Sequence, residues 1–109
     1  MPIATRKLLI RSPEKETEVE IRLFQPVCED GVWKCNYEID WPTQTRKSFA
    51  GGIDSVQTLV LALQKIGTEL YTSSHHEKSE LIWETPGGGY GFFVPKNLRD
   101  MLIGDDVDL

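Results

Sequence analysis

A run of glycines near the C-terminal end is the first feature of the sequence that could do chemistry. Pro86-Gly87-Gly88-Gly89-Tyr90-Gly91 has the composition of loops that bind phosphate through backbone N–H groups. Such loops lie between a strand and a helix N-terminus, often with Lys and Ser or Thr, whereas Phe92-Phe93-Val94 follows here. The context favours a flexible turn between strands, and a small-ligand or enzyme site on residues 86–91 is the alternative.

The two histidines of the chain, His75 and His76, stand beside Glu77 and are the candidate metal ligands. Adjacent residues on a loop seldom converge on one ion without distant help, and this spacing matches no zinc pattern. We interpret the pair as part of an exposed loop and predict no metal and no cofactor. In the alternative ligand-binding interpretation, either histidine would join the glycine run.

No combination of residues indicates an enzyme. Hydrolysis requires a nucleophile, a base and an orienting group, and the only histidines are the loop pair. Asp54 and Ser55 are adjacent, but capping of a helix explains both. We therefore predict no catalytic residue.

The candidate partner-binding residues are acidic or aromatic. Glu38 and Asp40 lie two apart, so they share one face of a strand. Trp41, next to Pro42 at a strand end, and Tyr90, within the glycine run, are hard to bury and could anchor a partner. The C-terminal end adds three acidic candidates, Asp105, Asp106 and Asp108.

Charge and hydropathy narrow the class of partner. The formal net charge of −5 has the wrong sign for a protein that neutralises nucleic-acid phosphates, and it would steer a basic protein toward the chain. The longest apolar stretch, Val56 to Leu63, is far below the roughly 20 residues of a membrane span, and the N-terminus lacks a secretory signal. We expect a cytoplasmic protein without a membrane partner, in which Cys28 and Cys35 need no disulfide.

Alternation of polar and apolar residues predicts a sheet. It is clearest over residues 32–41 and 16–24, and Asp30-Gly31 predicts a hairpin turn before the former. Further strands are predicted over residues 5–11, 44–50, 79–84 and 90–94. The residues predicted to face the core from the two clearest strands are Val19, Ile21, Leu23, Trp33, Cys35, Tyr37, Ile39 and Trp41.

One long helix is predicted from Ser55 to Tyr71, with Asp54 as N-cap and Gln57 as its capping-box partner. A polar loop over residues 72–78 follows, and Pro95 can open a short C-terminal helix through Leu102. The stripe expected to lie on the sheet repeats every three or four residues: Val56, Leu59, Leu63, Ile66 and Leu70.

These elements predict an α+β fold. A mostly antiparallel sheet of about five to six strands packs on one long amphipathic helix, and a short C-terminal helix is included. Residues 1–103 form a single domain, and residues 104–109 form an acidic tail that is expected to fray.

Several segments together resemble a family of small uncharacterised bacterial domains. They are the predicted strand segment Trp33-Lys34-Cys35-Asn36-Tyr37, the predicted helix start Gly52-Ile53-Asp54-Ser55-Val56-Gln57 and the helix segment Leu59-Val60-Leu61-Ala62-Leu63 that follows it. Leu81-Ile82-Trp83 and Gly91-Phe92 complete the pattern. The resemblance spans most of the chain from Trp33 to Phe92. It implies a fold and assigns no activity, and the glycine run and the histidine pair are not part of its pattern.

By class alone, the chain also resembles the immunity proteins that neutralise bacterial toxins. That resemblance implies a cognate toxin, often a basic nuclease, which such proteins bind through complementary charge. The function we expect is therefore a small acidic protein-binding module, with an immunity protein as its sharpest form. The alternatives are the ligand-binding domain or enzyme that uses residues 86–91, and a homo-oligomer that pairs through the polar strand over residues 44–50.

Overall fold

The computed structural model describes all 109 residues, and an antiparallel sheet is its largest element. Its strands are β1 (Ala4–Arg11), β2 (Glu16–Leu23), β3 (Val27–Glu29), β4 (Val32–Trp41), β5 (Gln44–Gly52) and β6 (Leu81–Ile82). The order is β3-β4-β2-β1-β6, and β5 pairs with the other edge of β4. The predicted α+β class and antiparallel sheet are confirmed.

The long helix α1 (Ser55–Tyr71) has the predicted bounds. The Asp54 carboxylate accepts from the Gln57 N–H at 2.7 Å, and the Gln57 side-chain oxygen accepts from the Ile53 N–H at 2.8 Å. The two side chains thus satisfy donors at the helix start that have no partner within the helix. None of the helices combines the length and the apolar character that a membrane span demands.

The buried stripe of α1 differs from the predicted one. Val56 is 68% exposed, and the residues turned to the sheet include Thr58, Ala62 and Ile66. Thr58 can be buried because its hydroxyl donates to the Asp54 carbonyl at 2.6 Å. Apolar residues occur on all sides of the N-terminal half of α1, so periodicity alone did not determine which side of the helix faces the sheet.

The core lies between α1 and one face of the sheet, called the inner face here; the opposite face is the outer face. Alternation places the predicted inward residues of β2 and β4 on the inner face, as expected, although Trp33 and Trp41 are only half buried. The sheet contributes these buried residues: Leu8, Ile10, Val19, Ile21, Leu23, Cys35, Tyr37, Ile39, Ala50 and Leu81. No other layer covers the outer face, which carries charged residues.

The C-terminal third departs furthest from the predicted elements. Residues 72–78 contain a short helix, α2 (Ser74–Glu77), where a loop was predicted, and β6 has two residues where six were predicted. Residues 90–94 form no strand. Gly87, Gly89 and Gly91 all have positive φ, so the chain bends repeatedly instead of extending along a sheet edge.

The bent segment packs on α1 rather than on the sheet edge. Phe92 and Val94 are buried in the core, and the Phe93 carbonyl lies against Gly67 of α1. A Cβ at Gly67 would come within 2.3 Å of that carbonyl oxygen. The missing side chain in mid-helix therefore allows a close backbone contact between the two segments.

A short 3₁₀ helix, Lys96–Met101, follows Pro95 and confirms the predicted C-terminal helix. A second, Gly104–Asp108, occupies the segment that was expected to fray. That expectation is wrong because Asp106 is buried, with 1% of its surface exposed. Its side chain fixes the segment to the rest of the molecule.

We predict that Gly67→Ala destabilises the protein by about 1–3 kcal/mol, although alanine favours helix more than glycine does. The new Cβ forces the segment around Phe93 away from α1. Val56→Ala is the control, because Val56 is exposed and its change should stay within about 0.5 kcal/mol. Urea denaturation of both variants checks this, and a Gly67→Ala variant more stable than wild type would contradict it.

Candidate functional site

Arg22 organises the acidic side chains of the outer face. Its guanidinium contacts Glu20 at 2.8 Å, Glu38 at 2.9 Å, and both carboxylate oxygens of Asp40 at 2.6 and 2.7 Å. The register places Arg22 opposite Glu38 on the neighbouring strand, which brings the four side chains together. The predicted residues Glu38 and Asp40 therefore lie side by side, but a cation already binds both.

The pairing changes the electrostatics of the predicted acidic surface. The hydrogen bonds from Arg22, and then that from Thr45, lower the pKa of Asp40 to about 2. Cations and anions nearly balance across the outer face, which carries five cations and six anions, so its excess of acid is small. The charged side chains there are Lys7, Arg11, Arg22, Lys34 and Lys47, and Glu16, Glu18, Glu20, Glu29, Glu38 and Asp40.

β5 forms a complete free edge of the sheet. It pairs with β4 without interruption from Trp41 opposite Gln44 to Trp33 opposite Gly52, and no other strand pairs with it. The two-residue turn Pro42-Thr43 is closed by a hydrogen-bonded pair, Trp41 with Gln44. In an antiparallel ladder hydrogen-bonded and non-hydrogen-bonded pairs alternate, so every second residue from Thr45 onward directs its N–H and C=O groups away from β4. These outward residues are Thr45, Lys47, Phe49 and Gly51.

The side chains beside this edge are cationic and aromatic. Phe49 is 46% exposed, and the Lys34 and Lys65 ammonium nitrogens lie 4.4 and 5.7 Å from its ring centroid. The Lys65 ammonium also donates to the Phe49 carbonyl at 2.6 Å, so α1 caps one outward acceptor. The remaining outward groups have no partner strand, and the edge is basic although the chain is acidic.

The glycine run binds an anion, and that anion belongs to the chain itself. The Asp106 carboxylate accepts from the N–H groups of Tyr90 and Gly91, at 2.7 and 2.8 Å. It also accepts from the Tyr71 hydroxyl of α1 at 2.5 Å. Because two of the run's amides already bind Asp106, they are not free for a phosphate.

One peptide group of this run lies between two charges. The carbonyl of Tyr90 accepts from the Arg6 guanidinium at 3.2 Å, and the N–H of the same peptide, on Gly91, donates to Asp106. Gly91 has φ +75°, and a Cβ there would lie 2.4 Å from the Arg6 Nη1. The residue is therefore glycine for two reasons, its backbone conformation and the close approach of Arg6.

The two histidines face different neighbours. His75 Nδ1 lies 2.8 Å from a Glu80 oxygen, and its ring stacks on Trp41 with centroids 5.4 Å apart. His76 Nδ1 lies 2.5 Å from the Tyr90 hydroxyl, beside a cleft of about 300 Å³. Burial lowers the pKa of His76, and burial together with Asp106 raises the pKa of Tyr90 to about 12.

The predicted partner-binding residues are spread over the molecule. Glu38 and Asp40 lie on the outer face, Trp41 is half buried against His75, and Tyr90 and Asp106 lie in the interior. Asp105 and Asp108 are exposed at the C-terminal 3₁₀ helix.

Sequence reasoning missed Arg22 and Arg6 as organising residues. Arg6 carried a readable signal, because it has the same strand parity as the buried Leu8 and Ile10. Arg22 carried a weaker one, because its polar position in β2 fits any solvated strand.

Comparison with known families gives one match, over residues 4–94. The chain belongs to the family described as Domain of unknown function (DUF6968). The matched part includes all six strands, α1, α2 and the glycine run, whereas Asp106 lies beyond it. No curated protein and no solved structure shows significant similarity to this DUF6968 domain.

We predict that Asp106→Asn destabilises the DUF6968 domain by about 3 kcal/mol, because charge-assisted hydrogen bonds are lost and an amide NH₂ faces backbone donors. Asp108→Asn is the matched control, since Asp108 is exposed, and should change stability by less than about 0.5 kcal/mol. Thermal and urea denaturation measure both. Equal changes in the free energy of unfolding for the two substitutions would contradict a stabilising role of the buried carboxylate.

A pH-dependent difference is predicted for Asp40. Its pKa of about 2 lies below the roughly 3.9 of an unfolded aspartate, so its ion pair stabilises the fold above about pH 4 and the contribution is lost as pH falls through 2. Asp40→Asn should cost about 1 kcal/mol or less at pH 7 and progressively less toward pH 2. Urea denaturation across this range, with Glu14→Gln as control, tests the trend. A cost independent of pH would contradict it.

Proposed function

We propose that this DUF6968 domain is a protein-binding module that receives an extended segment of a partner along β5. The observation that supports the proposal is the free edge of the sheet. Nine residues of β5 run without a bulge, and no other strand pairs with their outward side. Strand addition to such an edge is a recurring mode of peptide recognition, in which main-chain hydrogen bonds supply affinity.

The side chains favour an acidic partner. Lys47 projects from the middle of the edge on the outer face, and Lys34 and Lys65 flank the exposed ring of Phe49. A strand whose acidic residues alternate with apolar ones would place carboxylates near the lysines and an apolar side chain against Phe49. The partner's charge would thus be opposite to what the net charge of the whole chain indicates.

The same charges disfavour pairing of two copies. An antiparallel pair of β5 edges would bring Lys47 and its neighbours close to the same lysines of the second copy, and like charges on facing strands are destabilising. A lysine on an edge strand is a common protection against self-association. We therefore favour an acidic peptide segment over a second copy of the chain as the partner of β5.

Selection from a display library of random ten-residue peptides tests the proposal. Enriched peptides should alternate acidic with apolar residues and bind the wild-type domain. Lys47→Pro should abolish binding, because it removes an outward N–H and keeps the β4 ladder. Lys47→Thr is the matched control: it keeps the N–H and should only weaken binding.

Hydrogen exchange locates the peptide. The outward amides of Thr45, Lys47, Phe49 and Gly51 should exchange rapidly in the free domain and slowly in the complex. The proposal fails if no peptide is enriched, if Lys47→Pro binds as well as Lys47→Thr, or if protection appears elsewhere. Light scattering at two concentrations would reveal a competing self-association.

The second candidate is an immunity protein that neutralises a basic toxin domain in a bacterial cytoplasm. Its support is the acidic balance of the chain and the order of the C-terminal 3₁₀ helix, which holds Asp105 and Asp108 exposed beside the buried Asp106. A preformed acidic patch would complement a basic protein. The absence of disulfides between Cys28 and Cys35 fits a reducing compartment.

Co-expression with a toxin encoded by a neighbouring reading frame tests this candidate. Protection of the cells by the wild-type domain, and its loss with Asp105→Asn and Asp108→Asn together, is the expected result. Glu14→Gln, a change of equal charge in a distant turn, should protect as well as wild type. Unchanged toxicity with the wild-type domain would exclude that toxin as the partner.

A further inference from the structure

An apolar cavity opens where β1 and β2 extend past the middle of α1. Its volume is about 270 Å³, just below the roughly 300–1,000 Å³ of small-molecule sites. Its walls include Ile21, Leu23, Leu63, Ile66 and Phe92. It is separate from the β5 edge, because β4 lies between β5 and the cavity-lining strand β2 in the sheet.

One cation lies in this apolar wall. Arg6 stands directly opposite Ile21 in the sheet register and so occupies an inner-face position, where apolar residues are the rule. Its guanidinium carbon lies 4.0 Å from the Trp83 ring centroid and 5.1 Å from that of Phe92. The aromatic rings fix the plane of the guanidinium beside the cavity.

The hydrogen bonds of Arg6 leave one side of the guanidinium free. Nη1 alone donates within the chain, to the Tyr90 and Gly91 carbonyls at 3.2 and 3.1 Å. Nε and Nη2 have no partner, and since every buried side-chain nitrogen and oxygen is hydrogen-bonded, these two atoms must be accessible. Nε and Nη2 form the fork that binds a carboxylate through two parallel bonds.

Arg6 also lacks a directly contacting counter-ion. It takes part in none of the ion pairs of the structure. A peptide group separates Arg6 from Asp106, and burial lowers the pKa of Arg6 although the negative charges of Asp106 and Glu84 raise it. Charged groups in partly buried positions are ordinarily paired, so this site has room and charge for an external anion.

We propose that the cavity binds a small carboxylic acid with an apolar body, whose carboxylate pairs with the Nε and Nη2 atoms of Arg6. The apolar body fills the space between Leu63 of α1 and Ile21 and Leu23 of β2. The cavity volume limits the ligand to a short chain or a single ring. A cation in an otherwise apolar wall selects an amphipathic anion over a neutral ligand or a multiply charged one.

Isothermal titration calorimetry with octanoate is the first test, with 1-octanol as the neutral match and propionate as the short match. Octanoate should bind at millimolar or lower concentration and at least about tenfold more tightly than either comparison ligand, because it alone satisfies both the fork and the apolar walls. Absence of heat from octanoate, or equal affinity for octanol, would overturn the proposal.

Three variants assign the binding to the cavity. Arg6→Gln should weaken octanoate binding about tenfold or more, whereas Lys7→Gln, which removes a cation from the outer face of the same strand, should leave it unchanged. Ala4→Phe introduces a ring at an exposed cavity-lining position and should block binding with Arg6 in place.

Stability controls keep the result interpretable. Circular dichroism of each variant verifies folding, and Ala4→Phe decides the question if Arg6→Gln does not fold, because Ala4 is exposed and Ala4→Phe keeps the Arg6 hydrogen bonds to the glycine run. Binding that survives Ala4→Phe, or that falls equally in Lys7→Gln, would place octanoate elsewhere and refute the site.

Discussion

The buried carboxylate of Asp106 is the interaction on which the C-terminal third of the domain depends. It joins three segments: the end of α1 through Tyr71, the glycine run through two amides, and the second 3₁₀ helix to which it belongs. A buried charge is tolerated only when its hydrogen bonds are made, and here three donors surround it. The carboxylate therefore fixes the positions of Tyr90, Gly91 and Phe92, and through them the wall of the Arg6 cavity.

Two surfaces of opposite character result from this architecture. The outer face of the sheet is a lattice of paired charges, in which Arg22 holds Glu38 and Asp40, and it offers a partner little net charge. The β5 edge retains unpaired main-chain groups, and the three lysines beside it, Lys34, Lys47 and Lys65, take part in no ion pair. For recognition, the distribution of charge over these surfaces matters more than the net charge of −5, because unpaired lysines cluster at one edge of a chain that is acidic as a whole.

The sequence allowed the first two-thirds of the fold to be predicted because each element there obeys a local rule. β2 and β4 alternate cleanly, Asp30-Gly31 makes the turn between β3 and β4, and Asp54 with Gln57 starts α1. The last third could not be predicted in this way, since its conformation depends on long-range contacts: Gly67 accepts the Phe93 backbone, and Asp106 binds amides more than ten residues away. The glycine run was predicted to be flexible because the anion that fixes it, the Asp106 carboxylate, lies in a segment that was itself predicted to fray. The acidic candidates do not form one site. The alternation of polar and apolar residues identifies them as polar, but only the register of β2 with β4 shows that Arg22 neutralises Glu38 and Asp40.

The hydrogen bonds from Arg6 to Tyr90 and Gly91 span 84 and 85 positions of the chain. β1, which carries Arg6, lies inside the sheet between β2 and β6, so the earliest strand is completed by some of the latest residues. Closing so long a loop has an entropic cost that is recovered only when the final contacts form, and folds rich in distant contacts acquire their structure slowly. Local hairpins, β1 with β2 and β4 with β5, should therefore form early in folding, and the hydrogen bonds that join Arg6 to the glycine run should form last.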